Sequence, residues 1–173
     1  MEKDLQTRTI FLSNDTDVER ETRKLEAPGK ATRSIHKLRI LLVVILVILT
    51  AQGWFGDTTN LFVTTNSATP IAFSFGAIIP SIISYGPILI WHAAEGFLLL
   101  LLSLATIALS FVWAKKRSVR ILSILGTVMI FSAVIGGLSF VASGFTAAGS
   151  SAQMGGSFIG AYAFYFMELY FTR

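Results

Sequence analysis

Apolar positions in this chain come in long, nearly unbroken runs. They show neither the alternation of half-buried strands nor the narrow stripes of soluble helices. Ile40–Thr50 is a run of Ile, Leu and Val, and leucines fill Leu98–Leu102. A helix needs about 20 such residues to cross a hydrocarbon core of about 30 Å. The pattern predicts four crossings, at residues 38–55, 88–114, 119–142 and 154–170. Trp54, Trp91 and Trp113 stand at run ends, where an amphipathic ring sits at the lipid headgroups. The second run would reach about 40 Å as a helix, so it tilts or projects beyond the bilayer.

The stretch between the first two runs, residues 56–87, is irregular. Gly56-Asp57-Thr58-Thr59-Asn60 reads as a turn, and Gly76, Pro80, Gly86 and Pro87 cut the apolar part that follows. A straight crossing there is not expected. A Pro/Gly-broken outer excursion with one short amphipathic or partly re-entrant element is, since irregular backbone at membrane depth must be satisfied by protein or water. Residues 143–153 form a second, small-residue loop.

The first 36 residues are polar and mix acids such as Asp15, Glu19 and Glu26 with Arg20, Arg23 and Lys24. They lack an apolar stripe long enough to fold alone. A charged surface helix over 16–27, broken by Pro28-Gly29, is the ordered alternative. The domain reading is a polar cytoplasmic segment, 1–36, followed by a transmembrane domain, 37–173.

Charge placement supplies the topology. No Lys or Arg occurs between Arg39 and Lys115. Basic residues flank runs instead: Lys37 and Arg39 before the first, then Lys115, Lys116, Arg117 and Arg120 between the second and third. Cytoplasmic loops carry the excess of Lys and Arg. Both termini are therefore expected in the cytoplasm of a multi-pass cell-membrane protein, folded as an all-α four-transmembrane-helix bundle. Asn14-Asp15-Thr16 fits the glycosylation pattern, but on this reading it lies on the wrong side of the membrane to be used.

Composition agrees. The 173 residues are 53% hydrophobic and 14% charged, against about 25% charged in soluble domains. The net charge of +4 resides in span-flanking residues, so nucleic acid is not an expected partner. With no cysteine, disulfides, thiolate nucleophiles and Cys-held metal centres are excluded.

Three kinds of residue carry candidate function. Gly126, Gly136, Gly137, Gly156 and Gly160 are expected to pack helices closely, Gly156 and Gly160 as a Gly-x-x-x-Gly pair. Within spans, Glu168 is expected to snorkel or to form an interfacial ion pair. His92 and Glu95, three apart on one helical face, form the candidate polar, haem or metal site, with Met154 at the same outer end. His92-x-x-x-Gly96 resembles an arrangement in haem-binding membrane cytochromes, where glycine makes room for the porphyrin edge beside an axial histidine. That resemblance covers residues 92–96 and implies a second ligand from Met154 or from another chain, because the spans hold no other histidine. No catalytic constellation or nucleotide-binding loop is present.

The functional expectation is a non-catalytic small integral subunit or assembly protein of a larger membrane complex, without a cofactor of its own. Its partners would be lipid and other protein subunits, or further copies of itself. The alternatives are a single-histidine haem or electron-transfer module, and a small transporter or channel.

Overall fold

The structure, a computed structural model, describes residues 34–58, 70–71 and 73–173. The expected 16–27 helix, and with it nearly all of the polar segment 1–36, lies outside the described residues. Five helices are described: α1 (Ser34–Thr58), α2 (Phe75–Ser84), α3 (Pro87–Trp113), α4 (Arg117–Ala142) and α5 (Ala148–Phe171). Residues 38–173 form one compact unit.

Four long helices lie side by side. Gly53 and Gly56 of α1 approach Phe158 of α5 and His92 of α3 respectively, while α4 packs along both α3 and α5. The face that α1 turns inward repeats every three to four residues, as one helical side requires: Leu38, Leu42, Ile45, Leu46 and Leu49 are all buried. They join Leu99, Ile130, Ala161 and Tyr165 in the main core.

The outward faces are apolar too. Val47 of α1, Phe97 and Val112 of α3, and Val128 and Phe131 of α4 are exposed. A soluble protein rarely exposes contiguous apolar surface on this scale; lipid is the solvent that suits it. The chain thus has the character of a multi-pass membrane protein.

The expectation of four spanning helices is corrected. Among the described residues, α1, α3 and α4 are long and apolar enough to cross a membrane, and α5 is not. Length is not the cause, since α5 has 24 residues. Its first three turns carry Gly149, Ser150, Ser151, Gln153, Gly155, Gly156 and Ser157, and its last holds Glu168. These side chains remove the apolar content that transfer into lipid requires. α5 also starts at Ala148, inside the stretch expected to be a loop.

A fifth helix, α2, is the short element in the excursion between α1 and α3. It holds Pro80 in its interior, where the ring lacks the N–H for the preceding turn. Ile78 is buried with Leu89, Phe140, Val141 and Phe145 in a second, smaller core. Gly86, at φ +96, then turns the chain into α3, and Pro87 starts that helix with its φ already helical.

The α4–α5 turn supports α2 from beside. The Gly144 and Phe145 amides donate to the carbonyls of Val141 and Phe140, so two free C-terminal carbonyls of α4 are satisfied. Both residues adopt φ +65. Phe145 accepts this left-handed conformation while its ring packs edge-on against Tyr85 and Phe140, at centroid distances of 4.6 and 5.5 Å.

At the opposite end two basic side chains close helix C-termini. The Arg120 guanidinium donates from Nε and Nη2 to the Ala114 carbonyl at 3.1 and 2.8 Å. Lys116 Nζ donates to the Phe171 carbonyl at 3.0 Å. Cations are favoured at this pole of a helix because its last carbonyls carry unpaired partial negative charge. The basic loop therefore holds α3 and α5 ends in place.

Candidate functional site

Polar side chains gather in two places within the helix packing. The first is between α1 and α3, near the turn of chain into α3. Gln52 Nε2 donates to the His92 carbonyl at 3.1 Å, and a Cβ at Gly56 would lie 3.3 Å from His92 Cε1. Gln52 Oε1, His92 Nδ1 and Glu95 Oε2 are buried atoms without a hydrogen-bond partner. Glycine at 56 and 96 leaves room for the imidazole and the Gln52 amide respectively. Each orphan atom here forfeits its hydration.

The second group is larger and deeper. On α3, Ser103, Thr106 and Ser110 are fully buried, spaced so that they line one side of the helix. Their hydroxyls donate back to Leu100, Leu102 and Ile107 carbonyls, so each is satisfied within its own helix. On α4, Thr127 Oγ1 lies 2.9 Å from the Ser123 carbonyl, 3.1 Å from the Ser103 carbonyl across the interface and 3.2 Å from the Tyr165 hydroxyl. The Ser123 hydroxyl meets both the Val119 carbonyl and Glu168 Oε1. Tyr165 and Glu168 are each 0% exposed.

The antiparallel register of α4 and α5 assembles this seam. Moving forward along α4 and backward along α5, Ser123 meets Glu168, Gly126 meets Tyr165, Ser132 meets Ser157, and Gly136 meets Met154. At Gly126 an added Cβ would stand 2.7 Å from Tyr165 Cζ. The absence of a side chain there is what lets the Tyr165 ring come so close to α4. At Gly136 a Cβ would stand 3.0 Å from the Met154 nitrogen, so two backbones touch.

No family model, no curated protein and no solved structure matches the chain. Function must be read from these contacts.

The sequence candidates fall as follows. His92 shares the α1–α3 interface with Gln52, which sequence reasoning did not single out, and Glu95 of α3 has a buried, unpartnered Oε2. Met154 is placed against Gly136 and Gly137 of α4, whereas His92 is placed against Gly56 of α1. The backbones of α3 and α5 stay apart, each lying on α4, and nothing described brings Met154 to the imidazole. Among the described residues no three of His, Asp and Glu come together. Gly160 meets Met129 Sδ at 3.1 Å from its would-be Cβ, but Gly156 meets nothing within 4 Å. The Gly-x-x-x-Gly pair is thus divided, one glycine inward and one outward. Trp54 and Trp91 are exposed, and Trp113 packs against the main core. Lys37, Arg39, Lys115, Lys116 and Arg117 are exposed.

Glu168 is where the structure departs furthest from expectation. It neither snorkels nor pairs with a cation among the described residues. It lies inside the seam, with Oε2 buried and unpartnered. The signal was present as spacing: Ser123 and Thr127 lie one turn apart on α4, and Ser157, Ala161, Tyr165 and Glu168 recur every three to four residues on α5. Each hydroxyl alone is tolerated in an apolar helix, which hides the pattern.

Proposed function

We propose that this protein is a non-catalytic integral subunit or assembly component of a larger membrane complex, held by a partner helix against the outer face of α5. The supporting observation is a contrast between helices. The outward faces of α1, α3 and α4 carry Val, Leu, Ile and Phe, the side chains that contact lipid well. The outward face of α5 differs in its first half: before Ile159 and Phe166 restore the apolar pattern, it offers Gly149, Gly155 and Gly156, where an added Cβ would meet only open space. Lipid contact gives no reason for glycine there. Close approach of a second helix does, because association in lipid depends on backbone proximity and van der Waals packing. The inward hydroxyls of Ser123, Thr127 and Ser157 are spent on contacts within the chain.

The same proposal orients the chain. The end bearing Lys115–Arg120 faces the cytoplasm by the charge rule. Arg173 shares that end, since Lys116 holds the last turn of α5. α1 enters from it as well, because its far end meets the start of α3.

Native mass in mild detergent tests the docking face. Wild-type protein should sediment as part of a larger assembly. The double variant Gly149→Ile, Gly156→Ile fills no space inside the chain, so it should keep its thermal transition and sediment as a single chain. An assembly that survives both substitutions, or a wild type that is a single chain in native lipid discs, overturns the proposal.

A further inference from the structure

Glu168 has no role in the docking proposal, and its surroundings are specific. It is fully buried, one oxygen has no partner, and the other meets only Ser123. A serine hydroxyl has one hydrogen. Two oxygens, the Val119 carbonyl and Glu168 Oε1, lie within its reach. If Glu168 were a carboxylate, both would be acceptors competing for that single hydrogen, and Oε2 would be a buried anionic oxygen with nothing to stabilise it. A buried charge without a partner is among the most unfavourable arrangements a protein can hold.

Among the described residues no cation is paired with it. The charged groups described at this end are Arg39, Lys115, Lys116, Arg117, Arg120 and Arg173. Lys116 donates to the Phe171 carbonyl, Arg120 to the Ala114 carbonyl, and Arg173 lies over the Tyr170 ring at 5.5 Å. Arg39, Lys115 and Arg117 are exposed. What faces Glu168 from α4 is Ser123, and α3 presents the neutral hydroxyls of Thr106 and Ser110 on its buried side.

One added proton removes the buried charge and leaves Oε2 a neutral carbonyl oxygen. We propose that Glu168 is a proton-binding site in the α4–α5 seam, occupied at neutral pH. The Glu168 O–H then donates to Ser123 Oγ, and Ser123 donates its own hydrogen to the Val119 carbonyl. The neighbouring turn follows the same directed order. Thr127 spends its hydrogen on a backbone carbonyl, so Tyr165 donates to Thr127. The seam is a set of neutral donors in sequence, with the carboxylic acid as its one group able to exchange a proton with its surroundings. An ionisable group enclosed in this way without a counter-charge marks a candidate functional position.

Infrared spectroscopy of the full chain in lipid discs at neutral pH reads this directly. The wild-type-minus-Glu168→Gln difference should contain the carbonyl stretch of a protonated carboxylic acid. The paired stretches of a carboxylate at that position would overturn the proposal. Glu168→Gln should keep its thermal transition, because the amide supplies an N–H to Ser123 in place of the acid proton. Should that variant fail to fold, protein carrying carbon-13 carboxyl glutamate is compared with its Ser123→Ala form: the acid band should shift as its acceptor is lost, and a shift confined to carboxylate bands counts against the proposal. Sodium added at fixed pH should leave the acid band in place. Its replacement by carboxylate bands would make this an alkali-cation site and sink the proton reading.

Discussion

Glycine shows most clearly how position sets the consequence of one residue. Gly126 and Gly156 are both helical and both lack a side chain, yet the first faces the Tyr165 ring and the second faces open space. Ala is intrinsically better than Gly in a helix by about 1 kcal/mol, and at Gly156 nothing within the single chain opposes that gain. At Gly126 the new methyl must displace a buried ring, and overpacking of this kind costs about 1–3 kcal/mol. Gly126→Ala should therefore lower the midpoint of denaturant unfolding in detergent, measured by circular dichroism, while Gly156→Ala leaves it unchanged or raises it. Equal effects at the two positions would contradict the seam geometry. Glu168 makes the same point through chemistry. Its identity as an ionisable residue near a basic loop suggested an ion pair at the membrane surface, but only burial against Ser123 shows which of its protonation states suits the site.

At the scale of elements, apolar run length identified α1, α3 and α4, because crossing a hydrocarbon core demands continuity that a soluble helix does not need. It misread α5 as a fourth crossing: Ser157 and Gly160 pack against α4, and Gly149, Gly155 and Gly156 lower the apolar content of the outward side. It was silent on α2, where Pro80 argued for irregularity. Tertiary contact overrides that local preference: Ile78 gains a buried place beside Phe140 and Phe145. Phe145 is the pivot of this smaller core, since its left-handed backbone brings the ring between Tyr85 and Phe140. Phe145→Ala would lose the packing, at about 3–5 kcal/mol for a buried aromatic ring, and keep the backbone cost. Amide hydrogen exchange should accelerate across Phe75–Ser84 and change little in the α4–α5 seam. Uniform acceleration, or none in α2, would show that this core does not depend on the ring.

For the whole molecule, the absence of cysteine makes topology directly testable, because each introduced thiol is the only one. Lys115→Cys and Thr146→Cys occupy exposed positions in turns at opposite ends of α4. With a membrane-impermeant thiol reagent on intact cells, Thr146→Cys should label and Lys115→Cys should label only after permeabilisation. The reverse pattern would invert the proposed orientation. Those basic residues have two physical roles: they resist transfer across the membrane, and Lys116 and Arg120 neutralise the exposed carbonyls of α5 and α3.

By itself the sequence determined the membrane character of the chain, three of the segments that could cross a bilayer and where the basic end lies. Those properties depend on the free energy of transferring each segment from water, which is nearly a sum over its residues. Sequence could not decide that α5 is a seam partner, that Gly156 points away from Gly160's neighbour, or that Glu168 is enclosed. These depend on the register between α4 and α5. Shifting that register by a residue would leave every segment's hydropathy unchanged and would part Ser123 from Glu168 and Gly126 from Tyr165, so only the packed structure could fix them.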